Sequence, residues 1–424
     1  MTSPTDLTFR ELFRVFWRIG ILSFGGPAAQ IAVMHKELVV DRPWLSEEAF
    51  LRALSFCMLL PGPEAMQLAT YAGWRLKGVA GGLLAGALFV LPGACVIAAL
   101  VAVYAQFGEV PGVQAAFLGV KATVIAIVIQ ALTRLAKKTL HGWQGILLAG
   151  LAFVGIYALK LPFPMLILLA GLWGAFSVRP ADHIRIETDT RASASLRQSL
   201  RTLSLWVPLW LAPLFALSAM GATFLADIGW FFAKLAVVTF GGAYAVLAYM
   251  SQTVVAHHGW ISTGQMIDAL GLAETTPGPL ILVTQFVAML AGQLAAGPGL
   301  AIAAGLIALW ATFVPCFLWI FLAAPYLESL TNHPRIGAAL KSITAAVTGV
   351  ILNLSLWFSI NVLFDQTVLW QTGPLALELP VLASANPSAI IMAAVAVPIV
   401  LSGRVRLELV LIAMALAGLT LHIL

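Results

Sequence analysis

The chain has 424 residues, of which 61% are hydrophobic and only 10% charged, with a net charge of +5 and a mean hydropathy of +0.97. Soluble domains carry about 25% charged residues because their surfaces face water. These values exclude a water-soluble globular protein of this size and require most of the surface to face lipid. The basic residues sit in loops beside apolar runs, so their charge reads as membrane topology and not as a nucleic-acid surface.

Residues 1–8 are polar, and no cleavable leader pattern follows them. A membrane-crossing helix needs about 20 mostly apolar residues. In chain order, the predicted spans are 14–34, 50–72, 79–106, 114–134, 144–160 and 162–178. A polar linker follows at 179–202, with five arginines. The remaining spans are predicted at 204–224, 230–250, 265–291, 299–323, 336–363, 387–402 and 407–423, which makes about thirteen.

Arg10, Arg14 and Arg18 put the N-terminus in the cytoplasm, together with the loops holding Arg75 and Lys77 and Arg134, Lys137 and Lys138. Segment 364–386 carries Asp365 and Glu378 but no base, which fits the outside. Segment 35–52 should also be outside, yet it holds Lys36, Arg42 and Arg52.

The sequence repeats itself. At a shift of 216 residues, Ser23-Phe24-Gly25-Gly26 falls on Thr239-Phe240-Gly241-Gly242, and Pro61-Gly62-Pro63 falls on Pro277-Gly278-Pro279. Between 24 and 63, fourteen of forty positions are identical. Further on, the shift becomes 223 and Ala122-Thr123-Val124 meets Ala345-Ala346-Val347. An odd number of spans before the second copy inverts it in the membrane, a recurring transporter architecture. The expected fold is therefore an all-α polytopic membrane protein with two inverted repeats of about six helices. Residues 1–178 form the first repeat, 179–228 a cytoplasmic linker and connecting helix, and 229–424 the second repeat.

Proline and glycine in succession break a helix. Broken backbone at membrane depth survives only inside protein or along a wet cavity. The half-helix starting near Pro63 would present free N–H groups and a positive dipole end, which suits an anion. The candidate binding residues are thus Ser23, Gly25, Gly26, Gln30, Gly62, Glu64 and Gln67 from the first copy, and Thr239, Gly241, Gly242, Thr276 and Gly278 from the second. Lys121 lies several residues inside a span and is the best single anion partner, since charges in a membrane are costly and mark function. Glu64, after the first break, and Glu274, before the second, are candidates to carry a coupling proton.

Cys57, Cys95 and Cys316 are far apart in apolar runs, so neither a disulfide framework nor a metal site is expected, and no cofactor. There is no HExxH, GxSxG or P-loop. The lack of a nucleotide site argues against an ATP-driven pump.

In Ser23-Phe24-Gly25-Gly26-Pro27-Ala28-Ala29-Gln30, Leu60-Pro61-Gly62-Pro63-Glu64-Ala65 and Gly119-Val120-Lys121-Ala122, with their second-half counterparts, the chain resembles the chromate ion transporter family in its long two-domain form. The resemblance implies export of chromate across the bacterial inner membrane and chromate resistance. Sulfate, another tetrahedral dianion, is an alternative substrate. A homodimer is left open. An intramembrane enzyme acting on lipid-linked anions would need a buried nucleophile or metal cluster, and the sequence shows none, so an enzyme is not expected. The copies also differ chemically. Ala243 stands opposite Pro27, Leu280 opposite Glu64 and Thr344 opposite Lys121. The expected site is pseudo-symmetric in backbone and lopsided in charge.

Overall fold

The computed structural model describes residues 7–177, 196–240, 243–327, 333–373 and 375–423. Sixteen α-helices are described, and five are long and apolar enough to cross a membrane. The described residues divide into two compact units. One comprises 1–102, 181–243 and 276–334, and the other 103–180, 244–275 and 335–424. Each unit draws segments from both halves of the sequence.

The first unit begins with α1 (Phe9–Leu22) and α2 (Gly26–His35), which runs on into a π turn to Val40. The expected single span 14–34 is not one helix. Arg18 Nε lies 3.2 Å from Glu37 Oε1. Along a continuous helix those residues would be about 28 Å apart, beyond the reach of two side chains. The chain therefore doubles back at Ser23–Gly26, where Gly25 and Gly26 take φ of 80° and 77°. A side chain is strained at such angles, so the Phe-Gly-Gly motif makes the turn. Glu37 is buried and holds both Arg18 and Arg42. Glu37→Gln is expected to lower stability by about 1.5–3 kcal/mol, the worth of charged hydrogen bonds, as read by thermal unfolding of the solubilised protein.

The next hairpin joins α3 (Glu47–Cys57) to α4 (Glu64–Phe107). Ser46 caps α3 by accepting from Ala49 N–H. The Phe56 and Tyr71 rings lie 6.0 Å apart, so the run 50–72 also folds back, at Pro61-Gly62-Pro63. Inside α4 the helix is interrupted at Lys77 and Gly78. A Cβ on Gly73 would strike the Gly81 carbonyl, and one on Gly86 would strike Thr70. The two arms of α4 are thus antiparallel, and glycines let them touch.

After the linker, α8 (Leu196–Ala219) and α9 (Thr223–Val238) complete one side of this unit. Then α12 (Val283–Ala296) and α13 (Pro298–Ala323) repeat the α4 device. Gly297 turns between them at φ 85°, ψ −166°, matching Gly78 at φ 63°, ψ −158°. Both lie in a region open essentially to glycine alone. Between these stretches the chain forms α10 (Ala243–Gln252) and α11 (Thr263–Glu274).

The second unit is organised by two long helices, α5 (Pro111–Thr139) and α14 (Pro334–Leu363). Two shorter apolar helices, α15 (Pro387–Ser402) and α16 (Leu407–Ile423), pack on α5. The corresponding helices α6 (Gly142–Tyr157) and α7 (Phe163–Ser177) pack on α14. Small residues set these approaches, as in membrane helix pairs generally. Gly119 faces the Met414 carbonyl, Gly418 the Ala115 carbonyl, Gly349 the Ala149 carbonyl and Gly174 the Ala338 carbonyl.

One element departs from an all-α fold. The segment predicted as an outside loop holds an antiparallel hairpin, β1 (Thr367–Thr372) with β2 (Leu375–Pro380). It docks on the end of α6, where Tyr157 Oη donates to the Glu378 carbonyl at 3.0 Å and Ala376 N–H to the Ala158 carbonyl at 2.9 Å. The β-branched and aromatic run Thr-Val-Leu-Trp favours this strand over helix.

Candidate functional site

The breaks meet in the first unit, and they meet reciprocally. Gly62 N–H donates to the Thr239 carbonyl at 2.8 Å, and Gly278 N–H donates to the Ser23 carbonyl at 2.9 Å. Each Pro-Gly-Pro glycine therefore binds the residue that precedes the other copy's Phe-Gly-Gly turn. The flanking bonds match as well. Ser23 Oγ donates to the Ile19 carbonyl at 2.6 Å, and Thr239 Oγ1 to the Leu235 carbonyl at 2.5 Å.

This geometry changes the expected donor set. The amides of Gly62 and Gly278 and the hydroxyl hydrogens of Ser23 and Thr239 are committed to backbone carbonyls, so these groups build the crossing point. The positive dipole end of α4 lies at Glu64, just after the break. Intrahelical bonding there starts at Gln67 N–H to the Pro63 carbonyl. Glu64 opens that turn and is partly exposed.

Two buried glutamines bind the breaks. Gln30 Nε2 donates to the Gly278 carbonyl and Gln67 Nε2 to the Pro61 carbonyl, both at 2.7 Å. Their Oε1 atoms have no hydrogen-bond partner among the described residues. Thr276 is buried just before the second break. Gly241 and Gly242 lie outside the described residues. Among the described residues, no three His, Cys, Asp or Glu side chains gather to hold a metal ion.

In the second unit, Lys121 Nζ lies 3.1 Å from Asp268 Oδ1. Tyr104 Oη donates to Asp268 Oδ2 at 2.7 Å. Lys121, the expected anion partner, has a buried counter-charge from α11. Asp268 sits near the start of the predicted span 265–291, where a carboxylate reads as a helix-end residue. Its first-copy counterpart, Arg52, gives no hint of it. Glu274 is buried, and Tyr244 Oη donates to its Oε1 at 2.8 Å. Among the described residues no basic side chain pairs with Glu274.

Long apolar helices with buried breaks, and carboxylates and a lysine held inside, define a polytopic membrane protein of the transporter class. The chain belongs to the chromate transporter family, whose model matches residues 10–175 and 226–419. It is 33% identical to the chromate transport protein of Cupriavidus metallidurans over 82% of both chains. It is also 33% identical to the chromate transport protein of Pseudomonas aeruginosa, over 82% of this chain and 80% of that one. An uncharacterized transporter of Bacillus subtilis, YwrB, is 30% identical over 42% of this chain and 91% of its own length. No solved structure matches the chain.

Proposed function

We propose that the protein carries chromate out of the bacterial cytoplasm by alternating access between two inverted copies, and so confers chromate resistance. The observation that carries this reading is the reciprocal pair of bonds, Gly62 to Thr239 and Gly278 to Ser23. It is what two copies related by a two-fold axis in the membrane plane would make. The packing of the second unit supports the same symmetry. Ala115 against Gly418 corresponds to Ala338 against Gly174, once the β1–β2 hairpin is taken as an insertion in the second copy. The family model matching in two stretches, and a half-length relative, agree with a duplicated unit.

The fold-backs support a different topology. With α1–α2 and α3–α4 re-entering as hairpins, the first copy crosses through the second arm of α4, α5, α6 and α7. The linking helix α8 follows, and the second copy crosses through α13, α14, α15 and α16. That gives nine crossings in place of thirteen, and the odd number before the second copy is kept. Segment 35–52 then lies on the same side as the N-terminus, so Lys36, Arg42 and Arg52 no longer offend the positive-inside rule.

In this reading Gln30, Gln67, Gly25, Gly26 and Thr276 meet chromate at the crossing point of the first unit, and Lys121 of the second unit is a cation on its path. Glu274, buried beside Tyr244, carries the coupling proton, with Glu64 as the alternative carrier. The test is chromate uptake into inverted membrane vesicles with and without an imposed proton gradient. The gradient should accelerate uptake by the intact protein. Glu274→Gln should hold uptake at the level seen with no gradient. A variant that still responds fully to the gradient would remove Glu274 from this role.

A further inference from the structure

The pair formed by Lys121 and Asp268 does not look like a symmetric structural bridge. Asp268 is clamped on both oxygens, by Lys121 at 3.1 Å and by Tyr104 at 2.7 Å, and its side chain is only 2% exposed. The Lys121 side chain is 17% exposed. It lines a cavity of about 460 Å³ at the start of α5, with Gln114 on the same helix and Ser388 at the start of α15. Lys121 thus pairs with a buried carboxylate and also lines an open cavity.

From this geometry we infer that Asp268 is the built-in counter-anion of Lys121 and sets a preference for dianions over monoanions. The inference rests on the reading of Lys121 as the cation on the substrate path. An anion entering the cavity gains Lys121 only by drawing it away from Asp268. At equal distance a dianion attracts the ammonium twice as strongly as a carboxylate does, whereas a monoanion such as nitrate only equals it. Parting a buried pair without replacement is costly. The monoanion therefore meets that cost with nothing in excess, and the dianion has a surplus. Tyr104 serves as a positioning residue, because it keeps Asp268 in place while Lys121 moves.

The test uses the full-length protein in liposomes, with chromate uptake competed by sulfate or by nitrate. In the wild type, sulfate should compete and nitrate should not. Asp268→Asn should lower the chromate KM about tenfold and make nitrate a competitor at concentrations similar to sulfate. The double variant Lys121→Met with Asp268→Asn removes both charges, so it should elute and melt like the wild type yet transport no chromate. Tyr104→Phe, which keeps both charges, should shift competition part of the way toward nitrate, and it carries the test if Asp268→Asn does not fold. Nitrate remaining without effect on the folded Asp268→Asn protein would overturn the inference. So would wild-type transport by the double variant, which would make the pair purely structural. Failure of the wild type to move chromate would instead overturn the proposed function.

Discussion

Gly62→Val is expected to abolish chromate uptake while leaving the protein in the membrane. Gly62 has φ 120°, where a β-branched residue is a genuine outlier. A Cβ there would also lie 2.9 Å from Gln67 Nε2 and 3.0 Å from Cys316 Sγ. The side chain would push Gln67 off the Pro61 carbonyl and pull the Gly62 amide from Thr239, so both halves of the crossing point would loosen together. Gly278→Val should behave alike, since its φ is 86° and its Cβ would meet Leu282 at 3.1 Å. Gly221→Ala, away from the crossing point, provides the control. Its Cβ would meet nothing within 4 Å, so only the strain of its φ remains, about 1–2 kcal/mol. Uptake per unit of membrane-inserted protein reads the difference. Wild-type uptake by Gly62→Val would show that the break is a packing device alone.

The second large effect concerns folding. Gly119→Leu should deplete folded protein, with a loss of more than about 3 kcal/mol, the upper end for overpacking an interior. A Cβ at Gly119 would land on the Met414 carbonyl and within 3.0 Å of the Ala415 nitrogen. These are backbone atoms that cannot rotate away, so α5 and α16 would have to part. Gly112→Leu, on the same helix, would meet only Leu419 Cδ1 at 3.7 Å and should melt close to the wild type. Fluorescence-detected size exclusion of solubilised protein after heating separates the two. Equal melting would mean that the helices are free to separate.

The membrane class, the duplication and the two motif pairs were legible because composition and repetition are properties of sequence itself. Helices α15 and α16 appear at the predicted 387–402 and 407–423. The fold-backs were not legible. An apolar run of 20 residues has the same hydropathy whether it crosses once or returns, and only contacts such as Arg18 with Glu37 and Phe56 with Tyr71 separate the two. The traces of it in the sequence were the glycine and proline breaks themselves and the basic residues Lys36, Arg42 and Arg52 in a segment expected outside. Lys121 was legible as a buried charge, but Asp268 was not, because α11 and α5 are far apart in sequence. The hairpin β1–β2 was hidden by its polar flanks, which resemble a loop.

The reciprocal bonds also bear on how the chain is made. The Gly62 amide cannot find its acceptor until Thr239 emerges, 177 residues later. At about 5–20 residues per second this is a delay of roughly 10–35 s. Helix α5 waits longer still, for α15 and α16. During synthesis the first copy therefore waits with its Gly62 amide lacking this acceptor. It is then a natural client for the insertion machinery, and a chain truncated before residue 387 should be cleared by membrane proteases before it accumulates.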